Sequence, residues 1–120
     1  MKVSFKTKRF HWTKHIEKKM KYYRLSKQRM RRVFKSPDRK EFGVAPKTIA
    51  VMEKTGTKKN PKEIWLMYQT IQNKNDNIQT NMISAWRYPG ESPKGEMPII
   101  PEDALIELEK IQKKKNGKNS

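Results

Sequence analysis

The 120-residue sequence predicts an α+β fold: a short N-terminal strand, two helices, an antiparallel meander of three or four strands and a C-terminal helix. Two stretches of helical periodicity lie between residues 13 and 36, each behind a hydroxyl residue that makes a good N-cap. Three segments of strand-like composition follow between residues 48 and 87. A last amphipathic segment opens with acids and closes with lysines, as the helix dipole favours. This order combines a helix layer with a sheet layer.

The first two helices are predicted from their caps and apolar stripes. Thr13 and Ser26 precede the helical residues, and Leu25 and Met30 are spaced as a hydrophobic staple around the second cap. Pro37 ends the second helix, because proline disfavours the helical conformation in the residue before it. The apolar stripes are Ile16, Met20 and Tyr23 on the first helix and Met30, Val33 and Phe34 on the second.

Strands are predicted where apolar and polar residues alternate or where β-branched residues cluster. Lys2 to Lys8 is predicted as the N-terminal strand, and Arg9 to Trp12 as the approach to the first helix. Asp38 to Gly43 is compatible with either a strand or a turn. The predicted meander strands are Thr48 to Lys54, Glu63 to Thr70 and Ile78 to Arg87.

A proline-rich segment divides the chain. The predicted parts are an α+β domain over residues 1–88, an extended connector over 89–101, the C-terminal helix over 102–115 and a flexible tail over 116–120. The stripe of the last helix, formed by Ala104, Leu105, Leu108 and Ile111, needs a surface on which to be buried. If that surface is the sheet face carrying Trp65, then Trp65 is a core residue. On an open face Trp65 would instead be free to stack on a nucleic-acid base. The first arrangement is the more economical, because it buries the stripe of the last helix, so Trp65 is predicted as a core residue.

The positive charge is concentrated at one end of the chain. Residues 1–40 hold 16 Lys and Arg against two acids, a net +14 out of the total +17. Such a field on ordered helices favours a polyanion as partner, whereas a merely solubilising surface is the alternative. The predicted nucleic-acid contacts are the basic residues of the two helices: Lys14, Lys18, Lys19, Lys21, Arg24, Lys27, Arg29, Arg31 and Arg32.

Composition excludes several kinds of site. The chain has no cysteine, which rules out disulfides, thiolate catalysis and cysteine-bound metal centres and fits a reducing cytoplasm. No apolar stretch is long enough to span a membrane, and the N-terminus lacks the apolar core of a secretory signal. The two histidines, His11 and His15, have only Glu17 nearby, so no metal or other cofactor is expected.

The element order resembles that of the RelE/ParE toxin superfamily and, within it, the BrnT-like proteins, over Lys2 to Tyr88. Ile83-Ser84-Ala85-Trp86-Arg87 is similar to an Ile-Ser-Ala-Arg segment on the last strand of BrnT-like toxins. A second set is similar to the His…Arg-Met…Arg-Gly-Ile-Ser…Val opening of a small domain family of unassigned function: His15, Met20, Leu25, Ser26 and Val33. The sequence departs from these patterns at Lys19, which replaces Arg, at Tyr23-Arg24, which replaces Arg-Gly, and at Trp86, which is inserted before Arg87.

The resemblance implies a toxin of a toxin–antitoxin pair. Its activity would be that of a metal-independent endoribonuclease on RNA, including ribosome-bound RNA, and its protein partner an acidic antitoxin in the cytoplasm. The alternative is a relative without cleavage, which binds RNA or DNA through its basic helical face. A purely structural interaction protein is a third hypothesis. The non-cleaving relative predicts salt-dependent binding without cleavage. The structural interaction protein predicts no nucleic-acid affinity at physiological salt.

RNA cleavage through the 2′-hydroxyl needs a base, an acid and cations that stabilise the phosphorane. The candidate catalytic residues are Arg87, Tyr68, His15 and Ser84. Arg87, at a strand end, is the least explained by packing and is expected to hold a phosphate with paired hydrogen bonds. Ser84 and Trp86 alternate onto the face opposite to Arg87. The alternative for Tyr68 and Trp86 is that they are core aromatics that support the helices. His15 is more typical of a hydrogen-bonded structural group than of a base.

Overall fold

The structure, a computed structural model, describes residues 8–72 and 77–117. Within these residues it contains five strands and three helices in the predicted order, so the α+β fold class is confirmed. The elements are β1 (Lys8–Trp12), α1 (Lys14–Tyr23), α2 (Lys27–Lys35), β2 (Arg39–Ala45), β3 (Thr48–Gly56), β4 (Pro61–Gln72), β5 (Ile78–Pro89) and α3 (Glu102–Gly117).

The five strands form one sheet in the order β1-β5-β4-β3-β2. β2 to β5 are an antiparallel meander, and β1 pairs in parallel with β5, from Lys8 opposite Ile78 to Trp12 opposite Met82. β1 therefore covers only the first part of the β5 edge. The chain turns into α1 where β1 ends, and this places α1 beside the remaining part of β5.

The two faces of the sheet carry different helices. α1 and α2 cover one face, where Ile16, Met20 and Met30 belong to the core cluster that includes Leu66 and Met82. α3 covers the other face. There the rings of Trp65 and Trp86 stack with centroids 6.1 Å apart, and both residues are buried. The prediction that Trp65 is a core residue is therefore confirmed.

The predicted N-caps of α1 and α2 are both confirmed. The Thr13 hydroxyl accepts a hydrogen bond from the Ile16 amide at 3.1 Å, and the Ser26 hydroxyl accepts one from the Arg29 amide at 3.0 Å. The Thr13 hydroxyl oxygen also lies 3.1 Å from the carbonyl oxygen of Met82. One local cap thus both starts α1 and holds it at the edge of β5.

The approach to α1 differs from the prediction, because Arg9 to Trp12 form part of β1. Phe10 and Trp12 pack against the α1–α2 side of the core, whereas Arg9 and His11 are exposed. This is the period-two alternation of a half-buried strand. Residues 9–12 adopt the strand conformation because they pair with β5. The predicted strand from Lys2 lies, up to residue 7, outside the described residues.

The apolar stripe of α3 is narrower than predicted. Ala104 and Leu108 are buried and Ile111 is half-buried, whereas Leu105 is 46% exposed. The three inward positions are four and three residues apart and share one face of the helix, from which Leu105 is rotated by about 100°.

Several element boundaries also differ from the predicted ones. Pro89 belongs to β5, so the connector begins at Gly90. Asp38 to Gly43, left open between strand and turn, contributes to β2 from Arg39 onward. α3 extends through Gly117, and the rest of the predicted tail lies outside the described residues.

Candidate nucleic-acid interface

The packing of α1 and α2 fixes which of their basic residues face solvent. Burial of Ile16 and Met20 turns Lys14, Lys18 and Lys21 outward, at positions i, i+4 and i+7. Burial of Met30 and Val33 similarly leaves an outward row on α2. We call this exposed surface the basic hairpin face; it consists of Lys14, Lys18, Lys21, Arg24, Lys27, Arg31 and Lys35.

Three of the nine predicted nucleic-acid contacts form ion pairs with acids that lie outside the two helices. Lys19 pairs with Asp103 of α3 at 2.6 Å. Arg29 and Arg32 both pair with Glu53 of β3, at 2.6 and 3.0 Å. The hydrogen bond between Lys19 and Asp103 raises the pKa of the lysine and lowers that of the carboxyl group. These three cations therefore link α1 and α2 to α3 and β3 through ion pairs, and they are less available to a ligand.

The other predicted contacts remain available. Lys27 lies 3.8 Å from Glu17, a loose and exposed pair that contributes little. Five residues are exposed and form no ion pair within residues 8–72 and 77–117: Lys14, Lys18, Lys21, Arg24 and Arg31. The outward side of the hairpin is thus the side with uncompensated charge.

Two aromatic residues lie within or beside the basic hairpin face. Trp12 is half-buried, with Lys27 Nζ and Arg31 Cζ 5.3 and 5.8 Å from its ring centroid. Tyr22 is 75% exposed, and Lys19 Nζ lies 5.2 Å from its ring centroid. From the sequence, base stacking is predicted only for Trp65, which is buried. An exposed aromatic residue could have been predicted at Tyr22, because this residue lies outside the apolar stripe of α1.

His15 and Ser84 are the two candidate catalytic residues that the fold brings together. The Nε2 atom of His15 lies 2.9 Å from the Ser84 hydroxyl oxygen, where α1 runs beside β5. Ser84 is completely buried, so its hydroxyl has no direct access to a polymer substrate. Burial lowers the pKa of His15 below its usual 6.5, while the carboxylates of Glu107 and Asp103 act in the opposite direction. At pH 7 the imidazole is therefore mainly neutral.

Tyr68 lies in the hydrophobic core, away from this pair. It is 4% exposed and makes an edge-to-face contact with Phe34, with ring centroids 4.8 Å apart. Its cross-strand partner Met82 belongs to the core cluster under α1 and α2, whereas that of Ser84, Met67, lies in the cluster under α3. Burial raises the pKa of Tyr68 above its usual 10.0. Tyr68 and Ser84 therefore point to opposite faces of the sheet.

Arg87 lies at the C-terminal end of α1. It is half-buried, and its Nε donates a hydrogen bond to the carbonyl oxygen of Tyr23 at 3.0 Å. Arg87 lies three positions after Ser84 on β5, a distance of about 10 Å along the strand. The four candidates thus occupy three separate places in the fold.

A buried carboxylate that the sequence analysis did not single out is Glu63 of β4, which is 3% exposed. Its oxygens accept hydrogen bonds from the Trp65 indole nitrogen at 2.9 Å and from the Ser92 amide and hydroxyl at 3.0 and 2.6 Å. Arg39 donates to the same Ser92 hydroxyl at 2.9 Å. This network ties the proline-rich connector to the sheet. The sequence offers one indication of this contact, because Glu63 lies two residues before Trp65 in an otherwise apolar strand and so takes the same face of the sheet.

Within residues 8–72 and 77–117, no three His, Asp or Glu side chains come together as a metal-ion site requires. None of the helices in this part of the chain is both long and apolar enough to cross a bilayer.

Comparison of the chain with protein-family models, curated proteins and solved structures finds no match. The likeness to RelE/ParE and BrnT-like toxins therefore remains a hypothesis that rests on the element order and on two short motifs.

Proposed function

We propose that the protein binds RNA through the basic hairpin face. The observation that supports this most directly is the sorting of charge on α1 and α2. The cations that point to the flanks are paired with Asp103 and Glu53. Of the outward cations, only Lys27 has an acidic partner in the described part of the chain, and its contact with Glu17 is loose and exposed. A row of uncompensated cations on a rigid surface attracts phosphate groups.

A purely solubilising surface explains this arrangement less well. Between residues 13 and 36 the chain has ten Lys and Arg and a single acid, Glu17. Solubility is served by both signs of charge interspersed over the surface, and like charges on one hairpin repel one another. A polyanionic ligand would compensate that repulsion.

Single-stranded RNA is the form of nucleic acid that this surface suits best. Tyr22 presents a largely exposed ring one helical turn after Lys18, and Lys19 Nζ lies 5.2 Å from its centroid. Single-stranded regions expose base faces that stack on such rings, and each stacked base contributes about 1–3 kcal/mol. Duplex DNA keeps its base faces inside the stack and would gain only the phosphate contacts.

The test is a binding isotherm with a labelled single-stranded RNA, read by fluorescence anisotropy over a range of salt concentrations. We expect the logarithm of the binding constant to fall linearly with that of the salt concentration, with a slope of about −0.7 per phosphate contact. Changing Lys14, Lys18 and Lys21 together to Gln should weaken binding and make this slope shallower by about 2.

A matched control removes three charges from elsewhere on the molecule. Lys94, Lys110 and Lys113 are exposed residues of the connector and α3, which cover the opposite face of the sheet. Their combined change to Gln lowers the net charge equally but should reduce affinity much less. Equal losses in the two triple variants would mean that only the total charge matters, and the assignment to the hairpin would be wrong.

A ribonuclease toxin is the second candidate function. Its specific support is the contact between His15 and Ser84, which places a neutral imidazole at the seam of α1, β5 and α3. In this proposal the protein acts in the cytoplasm and an acidic antitoxin restrains it. It ranks second because the four candidate catalytic residues do not converge and the Ser84 hydroxyl is buried.

Expression in cells, with growth and RNA integrity as readouts, separates the two candidates. A ribonuclease toxin predicts arrested growth and degraded RNA, and relief of both when the acidic partner is co-expressed. His15→Gln should then abolish degradation while RNA binding persists. Normal growth and intact RNA, together with salt-dependent binding in vitro, would leave the binding function alone.

A further inference from the structure

A cavity of about 430 Å³ opens on the basic hairpin face, at the turn between α1 and α2. Its apolar part is formed by Met20 and Leu25, which are 6% and 7% exposed and belong to the core. Its polar part carries three cations and one acid. The lining residues are Glu17, Met20, Lys21, Arg24, Leu25 and Lys27. We call this cavity the turn cup.

Arg24 lies in the turn cup with an unfavourable backbone conformation. Its φ and ψ are 58° and 50°, the left-handed region, at the point where α1 ends. The Arg24 amide donates to the Lys21 carbonyl and the Leu25 amide to the Met20 carbonyl, at 3.2 and 2.8 Å. This is a Schellman arrangement, in which glycine is the usual left-handed residue because it lacks a Cβ.

Backbone strain alone would not indicate a site. Lys47, in the turn between β2 and β3, also has a positive φ of 59°, and the cavity beside it contains no second cation. Arg24 differs because the cavity that it lines is also lined by two further cations, Lys21 and Lys27. Strained residues that persist in a fold are found preferentially where they serve a ligand.

We infer that the turn cup binds one phosphate group of the RNA backbone, with Lys21, Arg24 and Lys27 as its ligands. The inference rests on the proposed function and narrows it to a particular place on the hairpin. The three cations of the turn cup suit a phosphodiester, because the planar fork of arginine bonds two of its oxygens at once.

Glu17 lines the turn cup and should weaken its affinity for a phosphate. Its carboxylate lies 3.8 Å from Lys27 Nζ, so it competes with a phosphate for that ammonium group. Removal of this charge by Glu17→Gln should increase RNA affinity by about threefold, because the carboxylate no longer repels the phosphate or competes with it for Lys27. Unchanged affinity would place the phosphate away from Lys27.

The main test compares two triple variants with the same loss of charge. The cup variant changes Lys21, Arg24 and Lys27 to Gln. The control variant changes Lys14, Lys18 and Lys35, which lie on the same hairpin outside the cavity. At near-physiological salt the cup variant should lose at least tenfold more affinity for single-stranded RNA than the control. Equal losses would overturn the turn cup while leaving RNA binding by the hairpin intact.

A phosphate titration followed by amide chemical shifts separates this inference from the proposed function. Inorganic phosphate should shift the amides of residues 21–27 more than those elsewhere. If wild-type protein binds no RNA but shows these shifts, the proposed function is wrong and the anion site stands. If phosphate shifts no amide in this range, the turn cup is wrong whatever the RNA result.

Arg24→Gly provides a variant that should fold at least as well as the wild type. Glycine relieves the left-handed strain, so the melting temperature should rise by about 3 °C. RNA affinity should fall at least threefold because the guanidinium is lost. Gain of stability with loss of binding is the expected pattern, and unchanged RNA affinity in this variant would overturn the role of Arg24.

Discussion

Arg87 provides a direct test of whether the last strand supplies a phosphate ligand or a structural bond. Its Nε donates to the Tyr23 carbonyl at 3.0 Å, in the last turn of α1. Carbonyls in that turn have no intrahelical donor, and a positive group there also suits the helix dipole. Arg87→Ala should therefore act first on stability, through the end of α1.

The size of this effect follows from the geometry. A hydrogen bond to a charged group contributes about 1.5–3 kcal/mol to stability. Arg87 is only half-buried, so water partly replaces the bond and the loss should be near the lower limit. A loss of about 1.5 kcal/mol corresponds to a fall of about 6 °C in the melting temperature for a domain of this size.

Urea and thermal unfolding, followed by the fluorescence of the buried tryptophans, would measure this loss. RNA affinity at a temperature where both proteins are folded should stay within about threefold of the wild type, because the guanidinium faces the backbone of α1. Arg87→Lys serves as the control, since it keeps the charge near the helix end and should recover part of the stability. The reasoning would be refuted by an unchanged melting temperature together with lost RNA binding or cleavage.

Two further predictions concern buried polar groups. Glu63→Ala should lower the free energy of unfolding by about 3 kcal/mol, because the Trp65 indole and the two Ser92 donors would lose a buried acceptor. Glu63→Gln, which keeps one acceptor oxygen, should lose less; an urea midpoint for Glu63→Ala equal to that of the wild type would contradict the network. The lowered pKa of His15 predicts that stability falls as the pH drops through 6.5, because the unfolded chain then takes up a proton that the half-buried imidazole resists. His15→Gln, which can still bond Ser84, should show a smaller fall between pH 7 and 5; identical pH profiles would show that His15 does not contribute.

Much of the fold was predictable because the deciding interactions are local. Each helix cap joins residues three apart, as with Thr13 and Ile16 or Ser26 and Arg29. The burial of Ile16, Met20 and Met30 follows from helical spacing in the same way. Trp65 could be placed in the core because the stripe of the last helix required an apolar surface. The exposure of Leu105 could not be predicted in this way, because it depends on which face of α3 packs against the sheet.

The candidate site was less predictable because its contacts join distant parts of the chain. His15 and Ser84 are 69 residues apart, and they meet only because β1 returns beside β5 and leaves α1 along its edge. The same placement puts Arg87 under the last turn of α1. The position of a residue on a strand predicts the face of the sheet that its side chain occupies, but not the residue that it contacts there.

Composition and spacing predict that one end of this protein is strongly basic and that its charge lies on two capped helices with apolar inner sides. They are enough for this, because each pattern involves residues within one or two helical turns. Which of those cations are free of an acidic partner depends on the packing of the whole fold. Lys19 meets Asp103 and Arg29 meets Glu53 across 84 and 24 residues. An ion pair depends on distance in space, and that distance exists only after the sheet and its helices have packed.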